Sequence, residues 1–227
     1  WKVTEKGTLM AGLRGDFTKV GEFSWKKNIQ PRLSFEYQWH PDTKFKTYYG
    51  QYAQLRSLSN RIVNPETGTA ELVVPDIDSD QSVHYGAGIE QYLNDYMLFK
   101  IEGFYKDYTK LNIDTGTYPE RIYENKGLGK SAGVEVMLQH LAGKNLEGWL
   151  TYTFSKTRRK DVDGWYTPDF DVTHMATVFA DYKLANNDHI ISTLKYSTGS
   201  PYTPVVSTST NPTTGAEEYE IGDRFSK

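Results

Sequence analysis

The residues able to do chemistry are few and widely spaced. Five histidines stand at positions 40, 84, 140, 174 and 189, with none of the short spacings that bring two imidazoles onto one metal. There is no cysteine, so the chain has neither thiolate ligands nor a disulfide framework. Asp76-Ile-Asp-Ser-Asp80 begins like a calcium loop. Such a loop needs Gly at its sixth position and Glu at its twelfth, where this chain has Gln81 and Ala87, so a solvated acidic loop is the better reading. Arg158-Arg-Lys160 could pair with lipopolysaccharide phosphates, and Asp161 and Asp163 beside it support a plain solvated loop equally well. Tyr118, Tyr123, Trp165, Tyr166 and Tyr202, with Arg121, could line a substrate vestibule, because ligand sites favour rigid aromatic surface with a few polar anchors. For any one of them, packing between loops is the competing role. No catalytic constellation, metal site or cofactor motif is read from this pattern, and no enzyme is expected.

Strands must hold these groups. From Leu9 to Phe17, Leu9, Ala11, Leu13 and Phe17 alternate with Met10, Gly12, Arg14 and Asp16. From Arg32 to His40, Leu33, Phe35, Tyr37 and Trp39 oppose Arg32, Ser34, Glu36, Gln38 and His40. The period of two recurs at Met97–Lys106, Val134–Gln139, Leu150–Ser155 and Thr173–Tyr182, and more weakly over 44–53, 82–93 and 188–197. Segments of about ten residues are roughly twice the usual length of a soluble-protein strand and suit a transmembrane one. One face of each is apolar. The other carries Arg14, Asp16, Glu36, Lys100, Glu102, Glu135 and Asp181, which only a wide polar lumen or bulk water can host at low desolvation cost.

The connections alternate in length. Residues 40–43, 94–95, 142–145 and 185–188 are tight turns rich in Gly, Asn, Asp and Pro, whereas 54–81, 110–127, 157–169 and 198–222 are long and polar, with a shorter connection at 18–30 in the same phase. Short periplasmic turns and long extracellular loops give this rhythm. With that orientation, Trp39 and Tyr182 fall at the periplasmic ends of outward faces, and Phe17, Tyr85, Tyr105, Phe154 and Tyr196 toward the extracellular ends, as two aromatic girdles. A formal net charge of −3 argues against a nucleic-acid partner, and no apolar run reaches the length of a membrane helix. The expected fold is therefore all-β, an antiparallel transmembrane β-barrel, here a partial barrel of about nine to ten long strands. A soluble β-sandwich binding carbohydrate or another ligand is the alternative.

Several phrases carry a resemblance. Pro31-Arg-Leu-Ser-Phe-Glu-Tyr37, His40-Pro-Asp-Thr-Lys44, Tyr48-Tyr-Gly-Gln-Tyr52, Asn125-Lys-Gly-Leu-Gly-Lys-Ser-Ala-Gly-Val-Glu135, Gly148-Trp-Leu-Thr-Tyr-Thr-Phe-Ser155, Asp169-Phe-Asp-Val-Thr-His174 and Ser197-Thr-Gly-Ser-Pro-Tyr-Thr-Pro204 follow one another in this order. Together they resemble the barrel of TonB-dependent outer-membrane transporters. Many members of that family carry basic residues before the histidine, where this chain has Val172 and Thr173. The resemblance covers residues 1–227 and implies part of a 22-stranded barrel, about strands 11 to 19, without the plug domain and the last strands. It further implies uptake of a scarce small-molecule nutrient such as a ferric siderophore, haem, cobalamin or an oligosaccharide. The implied setting is the outer membrane of a Gram-negative bacterium, with lipid and lipopolysaccharide as surroundings and the TonB complex as partner through the missing N-terminal part.

Overall fold

Runs that alternate polar and apolar residues and are dense in Tyr, Phe, Val and Thr favour extended chain paired along its edges. The computed structural model describes residues 1–19, 25–55, 60–63, 70–73, 76–115, 122–141, 145–210 and 217–222. Every regular element among them is a strand: β1 (Gly7–Thr18), β2 (Lys26–His40), β3 (Thr43–Gln54), β4 (Asn60–Val63), β5 (Ala70–Val73), β6 (Asp80–Asn94), β7 (Met97–Asp114), β8 (Tyr123–His140), β9 (Leu146–Asp161), β10 (Gly164–Tyr166), β11 (His174–Lys183), β12 (His189–Ser197), β13 (Val205–Thr210) and β14 (Glu217–Ile221). One ten-stranded sheet runs β1-β2-β3-β6-β7-β8-β9-β11-β12, with β10 paired to β9, and β4-β5 and β13-β14 form separate two-stranded sheets. All pairings within the large sheet are antiparallel and join successive long strands. The described residues contain no Greek-key crossover and no second large sheet packed on the first, which removes the sandwich alternative. They also leave the sheet open, with β1 and β12 at its edges.

Local chemistry closes the short turns. Gln38 Nε2 donates to the carbonyls of His40 at 2.8 Å and Pro41 at 3.1 Å, and the Asn94 side-chain oxygen accepts the Tyr96 amide at 2.9 Å. Asn187 adopts a left-handed backbone with φ of 63°, which asparagine tolerates better than most residues. The turn over 142–144 lies outside the described residues.

Register fixes the faces, because partners directly opposite each other share a side of the sheet. One row reads Leu9, Phe35, Thr47, Ala87, Gly103, Val134, Phe154 and His174 from β1 to β11. Tyr37, Val136, Leu150, Tyr152, Ala176 and Val178 belong to the same apolar face. Arg14, Asp16, Glu36, Lys100, Glu102, Glu135 and Asp181, together with Thr151 and Thr177, all lie on the opposite, polar face. Among the described residues only Ile77, Leu98 and Leu111 are buried apolar side chains, while Leu13 is 74% exposed and Leu194 is 69% exposed. An apolar face this bare is at home against acyl chains and not against water.

The strands run further than alternation alone shows. β7 continues to Asp114, β8 begins at Tyr123 and β9 reaches Asp161, so the connections expected over 110–127 and 157–169 are largely strand. β4, β5, β13 and β14 likewise lie inside stretches expected to be loop. The reason is solvent: where a strand rises above a membrane both its faces meet water, the apolar side loses its selective pressure, and the period of two fades from the sequence.

The face assignment makes a stability prediction. Val136→Arg, on the apolar face of β8, should cost about 2–4 kcal/mol in a refolding titration into lipid if the residue lies near the bilayer midplane, and Gln139→Arg on the polar face much less. Equal costs would reverse the assignment.

Candidate functional site

Near the long-connection end, the polar face carries a chain of stacked side chains, one from nearly every strand. Arg32 of β2 lies over the Tyr52 ring of β3 at 4.6 Å. Tyr52 stacks on His84 of β6 with ring centroids 4.3 Å apart, and His84 meets the edge of Tyr108 of β7 at 6.2 Å. Arg159 of β9 lies over Tyr108 at 5.4 Å and over Phe170 at 5.1 Å. A guanidinium held face-on by a ring keeps its N–H edge directed sideways, where it can donate to an anion. Arg14 joins the group from β1, paired with Asp16 at 2.9 Å. These side chains border a cavity of about 450 Å³.

Closer to the short turns the same face holds an ion-pair ladder. Lys46 reaches Glu90 at 2.7 Å and Glu36 at 3.6 Å, Lys100 reaches Glu90 at 3.2 Å, and Lys44 reaches Glu36 at 3.7 Å. Glu102 sits directly opposite Glu135, an unfavourable like-charge pair, and the Tyr48 hydroxyl donates to Glu102 at 3.0 Å. His189 Nδ1 contacts Asp181 at 2.7 Å. The seven polar residues share this face, with Arg14 and Asp16 beside the arginine–aromatic chain and the other five nearer the short turns.

The aromatic candidates fare differently. Trp165 pairs with Lys160 on the apolar face, whereas Tyr166 pairs with Arg159 on the polar face, because neighbours along a strand point to opposite sides. The two rings therefore do not enter one vestibule together. Tyr123 opens β8 opposite Asp114, Tyr202 is 64% exposed beyond β12, and Tyr118 and Arg121 lie outside the described residues. The basic triplet also divides: Arg158 and Lys160 stand on the apolar face and Arg159 on the polar one. Tyr52, His84 and Tyr108 escape the sequence-based list because they sit in weakly alternating or strand-end segments. Counting parity inward from the tight turns would have placed them.

The acidic motif is a latch between strand ends. Lys26 Nζ meets Asp76 at 2.7 Å and Asp78 at 3.2 Å, and Asn28 donates to Ser79 at 2.8 Å. Asp80 accepts from the Asn112 amide at 2.7 Å and from its side chain at 2.8 Å, while Asn125 and the Asp78 backbone exchange bonds of 2.7 and 2.9 Å. The hydrogen bond to Asp76, seconded by that to Asp78, raises the pKa of Lys26, which sits beyond the roughly ten residues a strand needs to cross a bilayer. Among the described residues no three His, Asp or Glu side chains gather in a metal-binding arrangement. Gly129-Lys-Ser-Ala-Gly133 has the Gly-x-Ser-x-Gly spacing of a hydrolase nucleophile turn, contrary to the expectation that the chain carries no such motif. It runs as plain strand within β8, where Ser131 is buried and its Oγ accepts from Thr157 at 3.1 Å, so no exposed elbow forms.

A family model described as TonB dependent receptor-like, beta-barrel, matches residues 1–223. No curated protein matches the chain. Among solved structures it is similar to the F3-3 variant of the FrpB iron transporter from Neisseria meningitidis, at 17% identity and a TM-score of 0.62, over 83% of this chain and 30% of that one. The apoprotein of the F5-1 variant gives 18% identity, a TM-score of 0.62, and 81% and 29% coverage. The alcaligin outer membrane receptor FauA from Bordetella pertussis gives 14% identity, a TM-score of 0.62, and 88% and 36% coverage. The chain thus spans about a third of the length of these structures, and identities this low establish a shared fold.

The latch is open to test. Asp80→Ala strands the buried Asn112 donors and should lower stability by about 1–3 kcal/mol, read as a shift in urea midpoint with faster amide exchange at Asn112. Unchanged exchange at that amide would show that the latch does not hold these strand ends.

Proposed function

The chain belongs to the TonB-dependent receptor β-barrel family, and from that premise we propose that it forms part of an outer-membrane receptor that takes up an anionic ferric chelate. The apolar face meets lipid, the polar face lines the lumen, and the long connections open outside the cell. The observation that carries the substrate class is the stacked chain Arg32–Tyr52–His84–Tyr108–Arg159, with Arg14 beside it. Arg32 and Arg159, with the Arg14–Asp16 pair beside them, favour a ligand bearing carboxylate or catecholate oxygens over neutral cobalamin or an oligosaccharide, and the rings offer flat surface at little cost in rotamer entropy. Tyr166, the strand neighbour of Arg159, extends the wall outward, and Tyr118, Arg121, Tyr123 and Tyr202 are the loop positions from which a vestibule would be completed. The similarity to FrpB, an iron transporter, supports iron as cargo. Energy reaches such a receptor through the TonB complex, and lower on the wall the lysines are engaged by Glu36 and Glu90 while Glu102 faces Glu135, so the passage there does not share the cationic character of its mouth.

The test uses the full-length protein in detergent, with tryptophan fluorescence titrated against an anionic ferric siderophore, a neutral one and cobalamin. The anionic chelate should bind best, and Arg32→Ala with Arg159→Ala should weaken it about tenfold or more. Preference for a neutral ligand, untouched by the double substitution, would refute the substrate class, and recovery from a soluble fraction would refute the receptor itself.

A further inference from the structure

The apolar face carries a second site that transport does not use. On β9 the outward residues are Leu146, Gly148, Leu150, Tyr152 and Phe154, a stretch from 146 to 154 that matches the roughly 9–11 residues of a membrane crossing. Immediately above come Lys156, Arg158 and Lys160, all outward and exposed, with Lys130 of β8 directly opposite Arg158. Strand geometry confines the four cations to a patch about 14 Å long and one strand spacing wide. Among the described residues none of them makes an ion pair, although Asp107 stands opposite Lys130 on the next strand. Lys130 instead lies over the Trp165 ring at 5.7 Å, so this tryptophan stands at the edge of the patch.

Level with Lys156 and the row of residues next to it, a groove of about 940 Å³ crosses the same face from β2 to β9. Its walls are Phe35, Tyr49, Tyr85, Tyr105 and Phe154, its floor is low because Gly103 brings no side chain, and it ends beside Lys156. A Cβ at Gly103 would meet nothing within 4 Å, so the floor is open to the outside.

We propose that patch and groove together bind one phosphorylated, multiply acylated glycolipid of the outer leaflet, of the lipid A type, with its phosphates on the four cations and an acyl chain along the groove. Charge and depth select this occupant: the cations begin where the apolar span ends, the level at which a lipid's phosphates lie, and four cations side by side suit two phosphates better than the single one of an ordinary phospholipid. The inference rests on the reading of this face as lipid-facing and is independent of the ligand taken up through the lumen.

The full-length protein, purified from outer membrane, is titrated in detergent with bis-phosphorylated lipid A, its dephosphorylated form and phosphatidylglycerol, and retention is read by native mass spectrometry. Bis-phosphorylated lipid A should be held at least about tenfold better than either comparator. Lys156→Gln, Arg158→Gln and Lys160→Gln combined should abolish that preference, whereas Lys27→Gln, an outward lysine on the distant β2, should leave it intact. Gly103→Leu, whose Cβ meets nothing within 4 Å and whose side chain projects into the groove, should weaken retention while the preference for phosphate persists. Equal retention of phosphatidylglycerol, or full retention by the triple variant, would overturn the site. Recovery of the protein outside the outer membrane would instead overturn the receptor reading on which it rests.

Discussion

Hydrocarbon offers no partner to a peptide N–H or C=O, and that single constraint organises this chain. Each long strand must find both neighbours laterally, so strands follow one another as hairpins and pairing runs without interruption from β1 to β12. Because the backbone is fully occupied by its neighbours, only the side chains remain free to differ between faces. The sequence therefore obeys a period of two wherever lipid lies on one side, as in the pairing of Val136 with Tyr152 and Ile101 on one face and of Glu135 with Thr153 and Glu102 on the other.

The same constraint explains why the chemistry concentrates at one end. Within the membrane zone Lys46 lies between Glu36 and Glu90 and Lys100 also reaches Glu90, while Glu102 faces Glu135 across the strands. Toward the long connections Arg32 and Arg159 lie against aromatic faces, Arg32 over Tyr52 and Arg159 over Tyr108 and Phe170.

Alternation in Arg32–His40 and Val134–Gln139 made the faces legible, and no residue assigned to a face there changed sides. The ends of β7, β8 and β9 were hidden because strand above a membrane is wetted on both sides. The binding wall was legible only in part. Arg14 and Arg32 stand in clean alternating runs, but His84 and Tyr52 become a site only once the register of β3 against β6 places them in contact, and a single sequence carries no pairing register. Trp165 and Tyr166 show the opposite case: adjacency in sequence suggested one site, and a strand in place of a loop sent them to two.

The glycine-rich approach to β8 then acquires a physical meaning. On the polar face Gly133 is the cross-strand partner of Phe104, and a Cβ there would collide with that ring; Gly86, partner of both Phe104 and Tyr48, would collide with the Tyr48 ring. In each pair the missing side chain lets an aromatic ring lie down on the neighbouring strand instead of standing into the lumen. A wall with large rings folded flat keeps apolar contact between strands without narrowing the passage, and only glycine beside each ring permits it. At Gly127 a Cβ would instead meet Ile113 and Leu111, and at Gly129 it would meet Leu111 and the Cβ of Tyr108, so these two glycines admit close packing from β7, and of the three in Gly-Leu-Gly-Lys-Ser-Ala-Gly only Gly133 makes room for a ring.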